Sequence, residues 1–140
     1  MEYELPDDWW NASGVQYAGL GEHSYRSGPS PNPNQPVFQV SVRDIEPCTR
    51  KGSHGVFNDS PEFGAARDRV IALLSGFSEN SAIPPIEVSE LPPGSGHRYK
   101  LIHGAHRLYC AIAVGYSHVP AIKVVDFFGT YPTGATPAAL

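Results

Sequence analysis

Cysteine is scarce in this chain. There are two, Cys48 and Cys110, in 140 residues. They form no disulfide framework, and neither stands in a C-x-x-C pair. There is also no run of about 18 apolar residues, so the sequence offers no membrane-spanning helix. Positive charge is in deficit: ten Lys and Arg stand against fourteen Asp and Glu, for a net −4 and a pI near 5.8. That balance speaks against coating nucleic acid by bulk charge, although a local basic pocket stays open. The first residues, Met1-Glu2-Tyr3-Glu4, are acidic where a secretory leader begins with basic residues and an apolar stretch. The expectation is a soluble cytoplasmic protein. Internal repeats, a Walker A loop, G-x-S-x-G, H-E-x-x-H and a dinucleotide fingerprint are all missing.

Glycine and proline are plentiful instead. They number 14 each, 28 of 140 residues, a fifth of the chain against an average near 12%. Much of the chain is therefore turn and loop around one domain of ordinary size, large enough to bury a core. Pro29, Pro31, Pro33 and Pro36 alternate with Ser30, Asn32 and Asn34, a pattern that favours extended backbone over helix. Residues 1–36 read as a Pro/Asn-rich N-terminal arm carrying Trp9, Trp10, Tyr17 and Tyr25. Such aromatics either fold back on the body or dock a protein partner. Residues 128–140 read as a flexible C-terminal tail.

The body spans 37–127. A first strand runs over Val37–Val42 and ends near Pro47, and residues 48–58 form a polar loop. A helix is expected from Ser60-Pro61-Glu62, with Asp59 or Ser60 as its cap. Phe63, Ala66, Val70, Leu73, Leu74 and Phe77 repeat at helical period. The helix is expected to stop near Ser75-Gly76, with Arg67 and Arg69 on its solvated face. Strands follow at Ile83–Val88, where prolines open a strand at a sheet edge, and at Tyr99–Ile102. Leu91 to Gly96 makes the turn between them. A second helix follows Gly104, with Leu108, Ala111, Ile112 and Val114 toward the core and Gly115 closing it. Val119–Val125 is the last, buried strand.

The segment Gly104-Ala105-His106-Arg107 carries most of the chemistry. A strand runs there into a helix, whose first amides and positive dipole end favour an anion. Gly104 permits close backbone approach, Arg107 offers a planar fork for phosphate oxygens, and His106 adds a titratable donor. The plain alternative is a glycine turn followed by two solvated residues. His97, His103 and His106 fit no strong metal pattern, and no metal site is expected. Cys110 reads as a small buried apolar residue. Arg98 and Lys100 alternate along a strand and either reach the same pocket or face water.

Ile83-Pro-Pro-Ile-Glu-Val88, Tyr99-Lys-Leu-Ile-His-Gly-Ala-His-Arg-Leu108, Gly115 and Val119-Pro-Ala-Ile-Lys-Val124 together resemble the ParB/sulfiredoxin superfamily. The resemblance covers about residues 37–127 and is strongest over 83–124. It implies a small α+β domain, a short mixed sheet with two or three packed helices, that holds nucleotide phosphates at the junction. It implies cofactor binding at Gly104, Ala105, His106 and Arg107; Arg50 and Lys51 of the loop after the first strand, with His54, either complete that site or form a solvated charged loop. ATP with Mg²⁺ is the implied cofactor, and phosphoryl transfer or nucleotide hydrolysis the implied chemistry. His106 and Glu46 are the candidate catalytic residues. Sulfiredoxins carry their cysteine where this chain has Ala105, which speaks against sulfinic acid reduction. Related serine kinases have Asp and His where this chain has His103 and Ala105. The alternative is a non-catalytic protein- or DNA-binding module using the arm and the basic loop, in which nucleic acid is not the favoured partner.

Overall fold

The computed structural model describes residues 5–21, 23–47 and 65–125. The polar loop with Cys48, Arg50, Lys51 and His54, the helix start at Ser60-Pro61, Phe63 and the C-terminal tail lie outside the described residues. The described chain is a small α+β unit. Its elements in order are α1 (Asp7–Ser13), β1 (Phe38–Ser41), a 3₁₀ turn (Val42–Asp44), α2 (Ala66–Ser78), β2 (Ile86–Glu90), β3 (Tyr99–His103), α3 (Ala105–Ala113) and β4 (His118–Lys123).

The four strands form one mixed sheet in the order β1-β4-β2-β3. β4 pairs antiparallel with β1 and parallel with β2, and β2 pairs antiparallel with β3. The two inner strands hold the most apolar runs. Val119, Ala121 and Ile122 of β4 and Ile86 and Val88 of β2 are all buried, as expected for strands covered on both faces. β2 is thus internal, not at an edge. Its two prolines precede the first ladder pair, so their missing N–H groups withdraw nothing from the sheet. β1 ends at Ser41 because the Ser41 Oγ accepts from the Arg43 amide and starts the 3₁₀ turn. β4 ends at Lys123, two residues before the expected limit.

Both longer helices close by the same device. In α3, the Tyr116 amide bonds Ala111 O and the Gly115 amide bonds Ile112 O, with Gly115 at φ 95°. This is the paired-bond ending that needs a left-handed residue just past the helix. In α2, the Ser81 amide bonds Gly76 O and the Asn80 amide bonds Phe77 O, with Asn80 at φ 58°. The expected stop at Ser75-Gly76 is therefore wrong: Asn80 takes the left-handed place. Gly76 sits inside the helix because Ile83 packs there, its Cδ1 only 3.1 Å from where a Cβ would be. α2 also starts later than the apolar spacing suggested, because Ala65 is extended at ψ 138°. In α3 the buried side chains are Leu108, Tyr109, Cys110, Ala111 and Ala113, while Ile112 is only half-buried.

The N-terminal segment is built into the body. It contains α1, a helix the proline-rich reading did not foresee, and it contributes Leu5, Val15 and Tyr25 to the core. Its backbone also supplies hydrogen bonds. The amides of Ala18 and Leu20 bond Ala113 O and Val114 O at 2.8 and 3.0 Å, at the end of α3. Residues 26–28 lie parallel to Ile83, through Ile83 N to Arg26 O and Gly28 N to Ile83 O. Tyr25 stacks on Phe77 of α2, with centroids 5.1 Å apart.

Burial raises the Tyr25 hydroxyl and the Cys110 thiol well above their ordinary values, since it penalises the charged form. Groups raised on folding contribute stability below their unfolded values, which are near 9.0 for the thiol and 10.0 for the phenol. That contribution is lost as pH rises past them. Stability in urea is expected to hold to about pH 9 and fall above it, with a shallower fall in Tyr25→Phe. At neutral pH the same variant keeps the ring stack and loses about 1 kcal/mol, the worth of its hydrogen bond.

Candidate functional site

β3 ends at His103 and α3 begins at Ala105, so one residue makes the change of direction. That residue, Gly104, has φ 105° and ψ 31°. A Cβ there would stand 2.8 Å from Ile86 Cγ2 and 3.2 Å from Arg107 Nη2. Backbone strain and steric contact both demand glycine. The junction is thus pressed against β2 on one side and against the Arg107 guanidinium on the other. No side chain caps α3, and its first turn closes through the Leu108 amide on Gly104 O at 2.8 Å.

Arg107 is anchored by backbone. Its Nη1 donates to Pro84 O at 3.1 Å and to Pro85 O at 2.7 Å. Those carbonyls lie just ahead of the first β2 ladder pair, and the one on the buried Pro85 needs a donor from the protein. Pro84 O receives a second one, the Tyr25 hydroxyl, at 2.6 Å. Two of the five guanidinium N–H groups are engaged by this anchorage, and the remaining three belong to Nε and Nη2.

A cleft of about 560 Å³ opens beside this arginine, between α2 and the start of α3. Its apolar wall is Ala72, Leu73, Gly76, Ile83 and Pro84. Its polar groups are sorted by sign. Arg69, His106 and Arg107 bring positive or proton-donating groups, whereas Glu79 is its one carboxylate among the described residues, accompanied by Ser75 and Ser81. An elongated apolar wall with a few convergent polar groups suits a small organic ligand with an anionic part.

Of the residues singled out from sequence, the cleft brings together His106 and Arg107, next to Gly104 and Ala105 at the helix start. Glu46 lies elsewhere: it is exposed and lines a depression of about 180 Å³ with Pro47, His97, Leu108 and Ile112. Arg50 and Lys51 lie outside the described residues. His103 is exposed on the β3 end, opposite Glu87. Arg98 faces neither the cleft nor open water alone; it reaches Asp44 at 3.9 Å and stacks on Tyr99 at 5.5 Å. Cys110 is fully buried, as read. Among the described residues no three His, Cys, Asp or Glu side chains gather as a metal site.

Arg69 departs from its expected solvated place. Arg67 is exposed and pairs with Asp8 of α1 at 3.3 Å, but Arg69 is half-buried and lines the cleft. The signal was available: Arg69 stands four residues before Leu73 and three after Ala66, at the margin of the apolar stripe. Glu79 and Ser81 belong to the closing turn of α2, and Pro84 comes beside that helix where Ile83 packs on Gly76; none of the three carried such a signal.

The chain matches no protein-family model and no curated protein.

Gly104→Ala is expected to lose about 1–3 kcal/mol from its backbone conformation alone, and more from the contact with Ile86. Chemical denaturation of Gly104→Ala, Ile86→Ala and the double variant checks this. The double variant should lose less than the two single losses added together, because the contact with Ile86 Cγ2 is then absent, while the backbone cost and the cost of truncating the buried Ile86 remain.

Proposed function

We propose that the cleft between α2 and α3 binds a phosphorylated small molecule of the nucleotide class, with its phosphates at the Gly104–Arg107 junction. The observation that carries this reading is the guanidinium of Arg107, held by Pro84 and Pro85 carbonyls directly over Gly104. A pre-positioned arginine loses little freedom when it meets a phosphate. Around it stand His106, Arg69 and the positive end of α3, which favour the same ligand charge. The resemblance of the 83–124 segment to the ParB/sulfiredoxin superfamily points the same way, and with it we assign the domain to that fold.

The residues present fit a nucleotide's phosphates. Among the described residues no carboxylate stands beside Arg107 and His106, so Mg²⁺ would be held through the phosphates of the ligand, a common arrangement for this cation. When bound, it neutralises phosphate charge. The chain's own part is orientation: Gly104 makes the tight turn that seats Arg107 against it, and Arg107 and His106 donate to the ligand's oxygens. Ala105 supplies no nucleophile. Phosphoryl transfer or hydrolysis therefore needs a base and an acceptor beyond these residues, and turnover decides between an enzyme and a binding module.

Calorimetric titration of ATP, with and without Mg²⁺, tests the reading. Wild type is expected to bind, and Arg107→Ala to bind about 10–100-fold more weakly, the usual worth of a charge-assisted pair. Arg107→Lys, which keeps the charge, should recover part of the loss, and circular dichroism of each variant controls for folding. Released ADP or phosphate would identify an enzyme. Equal binding by wild type and Arg107→Ala, both folded, would overturn the placement of the phosphates.

A further inference from the structure

The two carbonyls that hold Arg107 are themselves held from the N-terminal segment. Pro84 and Pro85 have no N–H, and the first ladder pair of β2 comes only at Ile86, opposite Ala121 of β4. Just upstream, the Ile83 amide donates to Arg26 O at 2.9 Å, and Ile83 O accepts from the Gly28 amide at 2.8 Å. The Tyr25 hydroxyl then donates to Pro84 O itself at 2.6 Å. Tyr25 is buried, and its ring is stacked on Phe77 of α2, so the hydroxyl is a fixed point. Arg107 Nη1 meets the same oxygen at 3.1 Å and Pro85 O at 2.7 Å. Three hydrogen bonds from residues 25–28 thus set the stretch from which the arginine is suspended. None of these four residues lines the cleft. Whatever they do to a ligand there is done through Arg107.

We infer that Tyr25 is a positioning residue for phosphate recognition, acting through Pro84 and Arg107, and that it couples the docking of the N-terminal segment to ligand affinity. The inference rests on the phosphate-binding reading of the cleft. The physical reason is order: an arginine already held in place has less freedom to lose when a phosphate arrives. The Tyr25 bond also keeps Pro84 O satisfied when the guanidinium turns toward a ligand, so that turning leaves this carbonyl with a donor. Coupling of this kind is reciprocal. If the docked segment favours the ligand, the ligand favours the docked segment by the same factor.

The test is a double-mutant cycle. ATP and inorganic tripolyphosphate are each titrated calorimetrically into wild type, Tyr25→Phe, Arg107→Ala and the double variant, with circular dichroism as the control for folding. Tyr25→Phe keeps the ring and removes only the hydroxyl. It is expected to bind both ligands about 3–10-fold more weakly, the ordering cost of one long side chain. In the Arg107→Ala background the same change should cost less than about twofold, because its route to the ligand is gone. A general loosening of the fold would weaken both backgrounds alike. Hydrogen exchange reads the reverse direction. Saturating tripolyphosphate should slow exchange of the Gly28 amide more in wild type than in Tyr25→Phe, by about the factor found in the titrations. Equal losses in the two backgrounds, full affinity in Tyr25→Phe while Arg107→Ala binds weakly, or equal slowing of Gly28 in both proteins would overturn the role of Tyr25 and leave the phosphate site standing. Failure of wild type to bind either ligand, or unchanged binding by Arg107→Ala, would overturn the phosphate reading and this inference with it.

Discussion

The carbonyl oxygen of Pro84 receives one hydrogen bond from the Tyr25 hydroxyl and another from Arg107 Nη1. Those donors come from the N-terminal segment and from the start of α3, so one acceptor joins parts of the chain 59 and 23 residues away from it. The arrangement follows from proline chemistry. Pro84 and Pro85 keep carbonyls but have no N–H, and they stand immediately before a strand that is internal to the sheet. Their oxygens take donors outside the ladder, and the buried Pro85 in particular needs one there. Arg107 and Tyr25 supply these, and in doing so the arginine is brought over Gly104. The shape of the candidate site is to that extent a consequence of satisfying two backbone groups.

The same economy runs through the rest of the fold. The N-terminal segment covers the end of α3 with its amides, lines Ile83 with a short parallel stretch, and stacks Tyr25 on Phe77. Ile83 in turn enters the space left by Gly76. The wall of the cleft is thus made where three stretches distant in sequence meet: the start of α3, the middle of α2, and the lead-in to β2. The segment that a composition reading sets aside as an arm is one of the supports of that wall, through Tyr25.

Much of the fold was legible in sequence where local chemistry and tertiary need agree. The four strands follow their β-branched and aromatic runs, and Gly115 closes α3 as its position predicts. Disagreement came where a residue served a neighbour distant in sequence. Gly76 reads as a helix stop, yet it is a packing site for Ile83, and Asn80 supplies the left-handed turn in its stead. Arg69 reads as solvated, yet it lies on the margin of a stripe that faces the cleft. Glu46 reads as a partner of the junction and lines a different depression.

By itself, the sequence determined those features that depend on backbone chemistry within a few residues. These are the glycine at the strand-to-helix junction, the prolines ahead of β2, the helix ending at Gly115 and the apolar strands. Tertiary structure alone decided which side chains share a cleft with that junction. Arg69 and Glu79 lie on α2, and nothing in their local spacing relates them to residue 107. Only the packing of Ile83 into α2 and the anchoring of Arg107 on two proline carbonyls set these groups along one wall. Apolar periodicity marks which face of a helix packs, and turn and capping chemistry marks where it ends, but neither names the distant residues that the face meets.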